Sequence, residues 1–481
     1  MPGVAIAGPS TSIALRPRND ILVGNSVLLS RNLVTKLTAR EKNILRSPKR
    51  NGSCEVDSIP YLREMGIEIT DNHFPIQFTS NRAQLVHRWS PYIQGFSSAF
   101  VQYVINKYRP IYKDPAILDP FAGSGTALVQ AKLNGLRSSG TELNPLLQFL
   151  AETKLNSWHV SPDAVVETFD RLPKNLPKRG PEFLKSDRHF NPPVLRNLEL
   201  LRGAIDSLPD KKDRQRHLKD LMRLAFASIL VDASNLKRTP CLGYDRKRRV
   251  ADDAPWTLMR AKVLQIATDL SSLQNHFPWT LHTPSSVVLA NAMTWDHQIP
   301  FDLVITSPPY MNGLDYVMNY KIEMAWLGFV TYMKELKSIK DDMVVCDNVS
   351  QGLINDFASS DGKYTNDWLE QIKDEIASNI ARRGNYRRPD MPNIVNKYFD
   401  DMYRVMRCVA KSIRPGGRFL LVVGDSLIAD TYVPTDLMLA RIGMEPEIGL
   451  QLESIEKARH RASGQVRSYR LRETIVTLLK P

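Results

Sequence analysis

The sequence predicts an α/β fold: a doubly wound, mainly parallel sheet with an antiparallel C-terminal strand pair and helical insertions. Three observations carry this. From Pro115 onwards short apolar runs alternate with helical stretches, the pattern of strands covered on both faces. The first run, Pro115-Ala-Ile-Leu-Asp119, opens onto the glycine loop Pro120-Phe-Ala-Gly123-Ser-Gly125-Thr126 and then a helix. A later run, Phe301-Asp-Leu-Val-Ile305, halts at Thr306-Ser307-Pro308-Pro309-Tyr310. Its two prolines rule out continuation as helix or ladder strand, because neither has an N–H and both fix φ.

At 481 residues the chain exceeds one compact core, so one large domain with insertions, or two to three domains, is expected. A composition of 43% hydrophobic and 24% charged residues describes a globular chain. Cys54, Cys241, Cys346 and Cys408 lie too far apart for a zinc or disulfide framework and read as reduced thiols in a cytoplasmic protein; no metal is expected. No apolar run approaches the roughly 18–20 residues of a membrane span. Asn25 and Ser26 interrupt the apolar patch Ile21 to Leu29, so no signal peptide is read there.

The formal charge of +13 is unevenly spread. Residues 171–250 hold 20 Lys and Arg against 9 Asp and Glu, and residues 1–50 hold 9 against 2. Two basic segments on a mildly acidic body are the footprint of a polyanion partner. Solvated helix faces are the plainer alternative.

Taken in order, residues 1–85 show no clear period and read as a basic, partly ordered arm. From His87 to Tyr108 the pattern changes: after a Ser90-Pro91 start, Phe96, Phe100, Val101 and Val104 fall on one face at helical spacing. Gly123 and Gly125 permit a tight turn and close approach of a ligand, and the following helix offers free N–H groups; the missing Gly-Lys-Ser/Thr excludes a P-loop. Arg137 to Thr141 forms a second strand, ending at Glu142, 23 positions after Asp119, where an acid meets ribose hydroxyls in a nucleotide fold. Asn144-Pro145 starts the next helix.

Residues 158–280 read as a helical insertion in which Leu218, Leu221, Met222, Ala225, Phe226 and Ile229 form a core stripe. Between its helices, Lys237, Arg238, Arg246, Lys247, Arg248 and Arg249 stand in a Gly- and Pro-containing loop suited to contacting phosphates. Ser286 to Ala290 is the third strand, Phe301 to Ile305 the fourth and Arg418 to Val423 the fifth. A second helical insertion covers 335–400. Glu445 to Glu453 and Glu473 to Leu479 alternate as an antiparallel edge pair.

Asp119-Pro-Phe-Ala-Gly-Ser-Gly-Thr126 together with Thr306-Ser-Pro-Pro-Tyr310 resembles the amino-group DNA methyltransferases that use S-adenosyl-L-methionine. The Ser-Pro-Pro-Tyr form looks most like the cytosine-N4 branch, since adenine-N6 enzymes more often carry Asp or Asn at the position of Ser307. Ser-Pro-Pro-Tyr followed by Asn312-Gly-Leu-Asp-Tyr316 is similar to prokaryotic DNA methylases with long insertions. The resemblance covers about 87–157 and 285–481. It implies a Rossmann-like catalytic domain over 86–157 and 281–481, with 158–280 as the target-recognition region.

It further implies that Phe121 to Gly125 and Thr126 surround the methionine part of the cofactor, oriented by Asp119, and that Glu142 holds the ribose. A helix from Gln94 to Val104, with Gln94 and Phe96, would close the site. Asn291 stands where family members usually have an Asp contacting the adenine amino group. Ser307, Pro308, Pro309 and Tyr310 would grip and stack a flipped base for direct methyl transfer. The implied partner is double-stranded DNA, with a separate restriction endonuclease or defence-system protein in the same prokaryotic cytoplasm. Adenine-N6 methylation, an RNA base amine as substrate, and a non-catalytic nucleic-acid-binding subunit stay open. Cytosine-C5 chemistry is rejected, because the one Pro-Cys pair, Pro240-Cys241, sits in the basic loop.

Overall fold

The first and fourth expected strands lie side by side at the centre of an eight-stranded sheet. The computed structural model describes residues 52–481 apart from 94, 109–113, 240, 246, 297, 298, 314 and 465, so the expected basic arm is outside the described residues as far as residue 51. The strands are β1 (Thr70–Asp71), β2 (Ala116–Asp119), β3 (Arg137–Glu142), β4 (Leu236–Arg238), β5 (Leu242–Tyr244), β6 (Ser285–Leu289), β7 (Phe301–Thr306), β8 (Ile413–Gly424), β9 (Ser426–Ile428), β10 (Thr431–Val433), β11 (Gln451–Ala462) and β12 (Arg470–Leu479). The large sheet runs β1-β11-β12-β8-β7-β2-β3-β6. Its β8-β7-β2-β3-β6 portion is parallel throughout.

The chain leaves β2 for β3 and β6 on one side, then returns to β7 and β8 on the other. β2 and β7 therefore flank a topological switch point, and a crevice opens beyond their carboxyl ends. Alternate residues feed two cores. Ile117, Leu303, Ile305, Leu420 and Val422 pack under the helices Ser98–Tyr108 and Thr126–Leu133. Leu118, Val304, Phe419 and Leu421 pack on the other face under Met391–Ser412 and Thr435–Gly443. Burial on both faces is why these strands read as continuous apolar runs.

Several expected boundaries move. The C-terminal pair is antiparallel, but its first member begins at Gln451, because Glu445 to Leu450 is spent turning off the helix Thr435–Gly443, with Leu450 N–H returning to Gly443 O (3.0 Å). Its second member is interior: β12 inserts antiparallel between β8 and β11. β1, reached from the helix Cys54–Met65, pairs with β11 at the edge, so residues 52–85 include elements built into the fold. Residue 400 falls inside Met391–Ser412, whose Ile394, Val395, Tyr398, Met402, Val405 and Val409 are buried at helical spacing; that helix covers the sheet and is not insertion. The basic loop closes as the β4–β5 hairpin.

The helices Pro162–Asp170, Pro192–Asp206, Asp213–Ile229 and Ala254–His276 form the first insertion. Its core is continuous with Leu146, Leu147, Leu150 and Leu155 of Pro145–Asn156, the helix that follows β3. No helix of the described residues is long and apolar enough to cross a membrane.

Candidate functional site

The two motifs meet through one hydrogen bond. Thr306, the last residue of β7, donates from Oγ1 to the Asp119 carboxylate (2.6 Å) at the end of β2, and the same carboxylate accepts Phe121 N–H (3.1 Å). Asp119 is buried, so one side chain sets the course of the glycine loop and ties it to the Ser-Pro-Pro-Tyr turn. Gly123 and Gly125 both take positive φ, +53° and +85°, and Gly125 starts Thr126–Leu133 without a side-chain cap. Glu142 accepts Gly123 N–H and Asn144 N–H, each at 2.8 Å, which draws the loop across the end of β3.

A narrow slot lies beyond these strand ends, walled by Phe121, Glu142, Leu147, Asn291, Val344 and Pro309. Beside it opens a cleft of about 910 Å³ between the sheet, residues 76–96 and the helical insertion. Ser307, Tyr92 and Tyr316 line both spaces, so Ser307 stands where slot and cleft join. Tyr310 lines the cleft, and its phenol donates to Glu473 Oε1 on β12 (2.7 Å).

Not every expected residue reaches the place expected of it. The helix starts at Ser98 rather than Gln94, because Phe96 is held by a β-bridge to Gln77 and the backbone of Ser98 by Asn81 Oδ1 (2.8 Å). Phe96 therefore lines the cleft and packs edge-on against Phe100, away from the slot; Gln94 lies outside the described residues. Gly125 and Thr126 sit beneath the loop, Gly125 against Ala151. Asn291 walls the slot, but its amide is engaged within the chain: Nδ2 donates to Asp342 O and Oδ1 accepts Met293 N–H, both at 2.9 Å. It props the slot wall.

The basic hairpin divides likewise. Arg238 turns inward, bonded to Glu323 and to Asn319 O and lying over the Tyr320 ring, and Arg248 is bonded to Leu236 O (2.7 Å) and Asp232 O (2.8 Å). These two fasten the hairpin. Lys237, Lys247 and Arg249 are exposed, and Arg246 lies outside the described residues. Residues that sequence reasoning missed are Tyr92, Tyr316, Arg459, Arg461 and Glu473, which all reach the cleft. Glu473, a charged residue heading the apolar run that ends at Leu479, carried a signal in the sequence, whereas Arg459 and Arg461 stand in a strand charged along its length and carried none.

No family model matches the chain. It is 24% identical over 469 residues to the type II methyltransferase M.BsoBI of Geobacillus stearothermophilus, spanning 86% of this chain and 89% of that protein. Type II methyltransferases M.AvaI of Nostoc sp. (24% over 424 residues; 79% and 82%) and M.MvaI of Kocuria varians (22% over 408 residues; 78% and 85%) also match. The chain is a type II methyltransferase homologue. Among solved structures, a geranyl diphosphate methyltransferase with sinefungin superposes at a TM-score of 0.29 and 9% identity over 92% of this chain and 99% of that one, too loosely to bear on the fold.

The slot suits S-adenosyl-L-methionine, the cofactor that the two motifs imply, on chemical grounds. Leu147, Ala292 and Val344 offer apolar walls for a planar base. Each Glu142 oxygen keeps a lone pair for a ribose hydroxyl beyond its bond to the backbone.

Burial pushes the Asp119 carboxyl up to about 7, with the Glu142 carboxylate adding to the rise and the Thr306 and Phe121 bonds opposing it. The ionised form accepts both bonds that shape the loop. Cofactor affinity is therefore expected to strengthen as pH rises through about 7, and Asp119→Asn to flatten that profile; calorimetry between pH 6 and 8 checks both. The sign for stability is opposite. A raised folded-state value means the native state holds the extra proton, so this group's contribution to stability falls from about pH 4 to about pH 7.

Proposed function

We propose that this methyltransferase transfers the methyl group of S-adenosyl-L-methionine to an exocyclic amine, N4 of cytosine, on a base flipped out of double-stranded DNA. The observation that carries it is Ser307 at the junction of slot and cleft, because a base entering from the cleft meets the methyl donor there and nowhere else along β7. Arg82 and Lys237, exposed on the cleft wall, supply a sequence-independent grip on phosphates, whereas Lys262 on the same wall is bonded to Arg88 O (3.0 Å) and Gln265 Oε1 (2.7 Å). A separate nuclease of a restriction–modification pair is the protein partner that goes with this reading.

The target amine is a poor nucleophile, since its lone pair is delocalised into the ring. The Ser307 hydroxyl or carbonyl and the Pro308 carbonyl accept its two N–H bonds and favour a pyramidal nitrogen. Pro308 and Pro309 keep those acceptors rigid, and Thr306 fixes them relative to the glycine loop through Asp119. Bound S-adenosyl-L-methionine supplies a methyl group on a positively charged sulfur, open to in-line attack. As the N–C bond forms and the C–S bond breaks, the nitrogen sheds one proton through the Ser307 acceptor to water. Tyr310 stacks on the ring, and no covalent bond to the protein forms.

Mass spectrometry of nucleosides from DNA methylated by the purified protein tests this. N4-methylcytosine is expected, and its loss with Ser307→Ala combined with Tyr310→Ala. N6-methyladenine would move the target to the other amine, and labelling of RNA alone would overturn DNA as substrate.

A further inference from the structure

Three charged side chains with no part in the chemistry above converge on Tyr310 from β11 and β12. Glu473, buried at 6% exposure, accepts a hydrogen bond from the Tyr310 phenol on Oε1 (2.7 Å) and one from the Arg459 guanidinium on Oε2. The Arg461 guanidinium lies 5.5 Å from the centre of the Tyr310 ring. Only one of its three nitrogens both reaches the cleft and is free to donate there; Nε, though buried, has no hydrogen-bond partner among the described residues. Nη2 donates to Asp425 O (2.5 Å), and Nε is sealed from solvent against Gly424, where a Cβ would come within 3.0 Å. Among the described residues Nη1 has no acceptor.

A β-bulge aims these side chains. Lys457 and His460 both reach Glu55, although residues three apart fall on opposite faces of an unbroken strand. The register shift between Lys457 and Arg459 turns β11 over, and Arg459 and Arg461 face the cleft. Arg461 thus offers one donor edge to the cleft that Ser307 also lines, close to the ring of Tyr310 in the same turn. A planar fork fixed in direction by its bond to Asp425 O reads a planar acceptor; an exposed ammonium, such as that of Lys237, suits a phosphate.

We infer that Arg461 is a specificity-determining residue that donates from Nη1 to the ring carbonyl of the flipped base, while the Ser307 turn holds its amine. The inference rests on the preceding reading of a flipped base. Cytosine carries a carbonyl and an amine on one edge, whereas adenine carries an amine and no carbonyl, so this donor selects cytosine. Arg459 and Glu473 act as positioning residues for Tyr310.

The test is a single-turnover methyl transfer by the full chain on duplex DNA containing its mapped target, with the target base either cytosine or 2-thiocytosine. Sulfur keeps the amine but weakens the carbonyl acceptor. Wild type is expected to slow by about 10-fold or more on the thio base, the value of a charged hydrogen bond. Arg461→Ala is expected to methylate both bases at one rate, about 10- to 100-fold below wild type on cytosine, with cofactor binding unchanged. Arg461→Lys, which keeps the charge without the fork, recovers part of the rate. An undiminished thio penalty in Arg461→Ala overturns the inference, including the case in which the variant binds all DNA more weakly, as loss of a phosphate contact would do. A product of N6-methyladenine sinks the cytosine reading itself; N4-methylcytosine with an intact thio penalty sinks only the role of Arg461.

Discussion

Gly123→Ala is expected to weaken S-adenosyl-L-methionine binding by roughly 100-fold while leaving the protein folded. A Cβ there would press on the Tyr92 hydroxyl and come within 2.8 Å of its Cζ, and φ of +53° disfavours any side chain. Neither neighbour yields easily. Tyr92 is stacked on Tyr320 with ring centres 6.3 Å apart, and the Gly123 N–H is held by Glu142 at 2.8 Å. Relief must move the loop off Glu142 or push Tyr92 into the slot, and both spoil the cofactor site. Calorimetric titration measures the loss. Adding Tyr92→Ala should restore part of the affinity by removing the clash, leaving a backbone cost of about 1 kcal/mol. Wild-type binding by Gly123→Ala alone would show that the loop is not held as described.

Tyr310→Ala is expected to reduce methyl transfer by roughly 100-fold with cofactor binding intact. Stacking of a base on an aromatic ring is worth about 1–3 kcal/mol. The substitution also strips a bond from the buried Glu473 carboxylate, leaving Arg459 on its other oxygen. Tyr310→Phe separates the two contributions: it keeps the ring, loses the bond, and is expected to fall by less than about 10-fold. Fluorescence of 2-aminopurine at the target position reads base extrusion independently of chemistry. Equal loss in both variants would assign the effect to the phenol rather than to stacking.

The fold class was legible because the central strands Ala116–Asp119 and Phe301–Thr306 are buried on both faces, while the edge strand Ser285–Leu289 still carries the apolar Val287, Val288 and Leu289. Ala116–Asp119, Ser285–Leu289 and Phe301–Thr306 each sit within a residue or two of an apolar run that turn residues cut short. The two motifs were visible as strand ends, but the bond between Thr306 and Asp119, 187 residues apart, follows from sheet order, which local pattern does not encode. Arg238 shows a different blindness. A run of cations reads alike whether its members face water or a buried partner, and only the packing of Glu323 and Tyr320 against Arg238 tells it from Lys237. Arg461 was illegible for a third reason: an alternation count assigns it to the same side of its strand as Lys457, and the register slip between them leaves no mark in composition.

The helical insertion shares its interior with Pro145–Asn156, and that helix also lies against β6 and the glycine loop. Such a region cannot be traded between relatives as a cassette. A chimera that transplants residues 158–280 alone would leave Leu146, Leu147, Leu150 and Leu155 facing a surface shaped for other side chains. A chimera that carries 145–156 from the same donor along with 158–280 is expected to be the more stable of the two, since both sides of that shared interior then come from one parent.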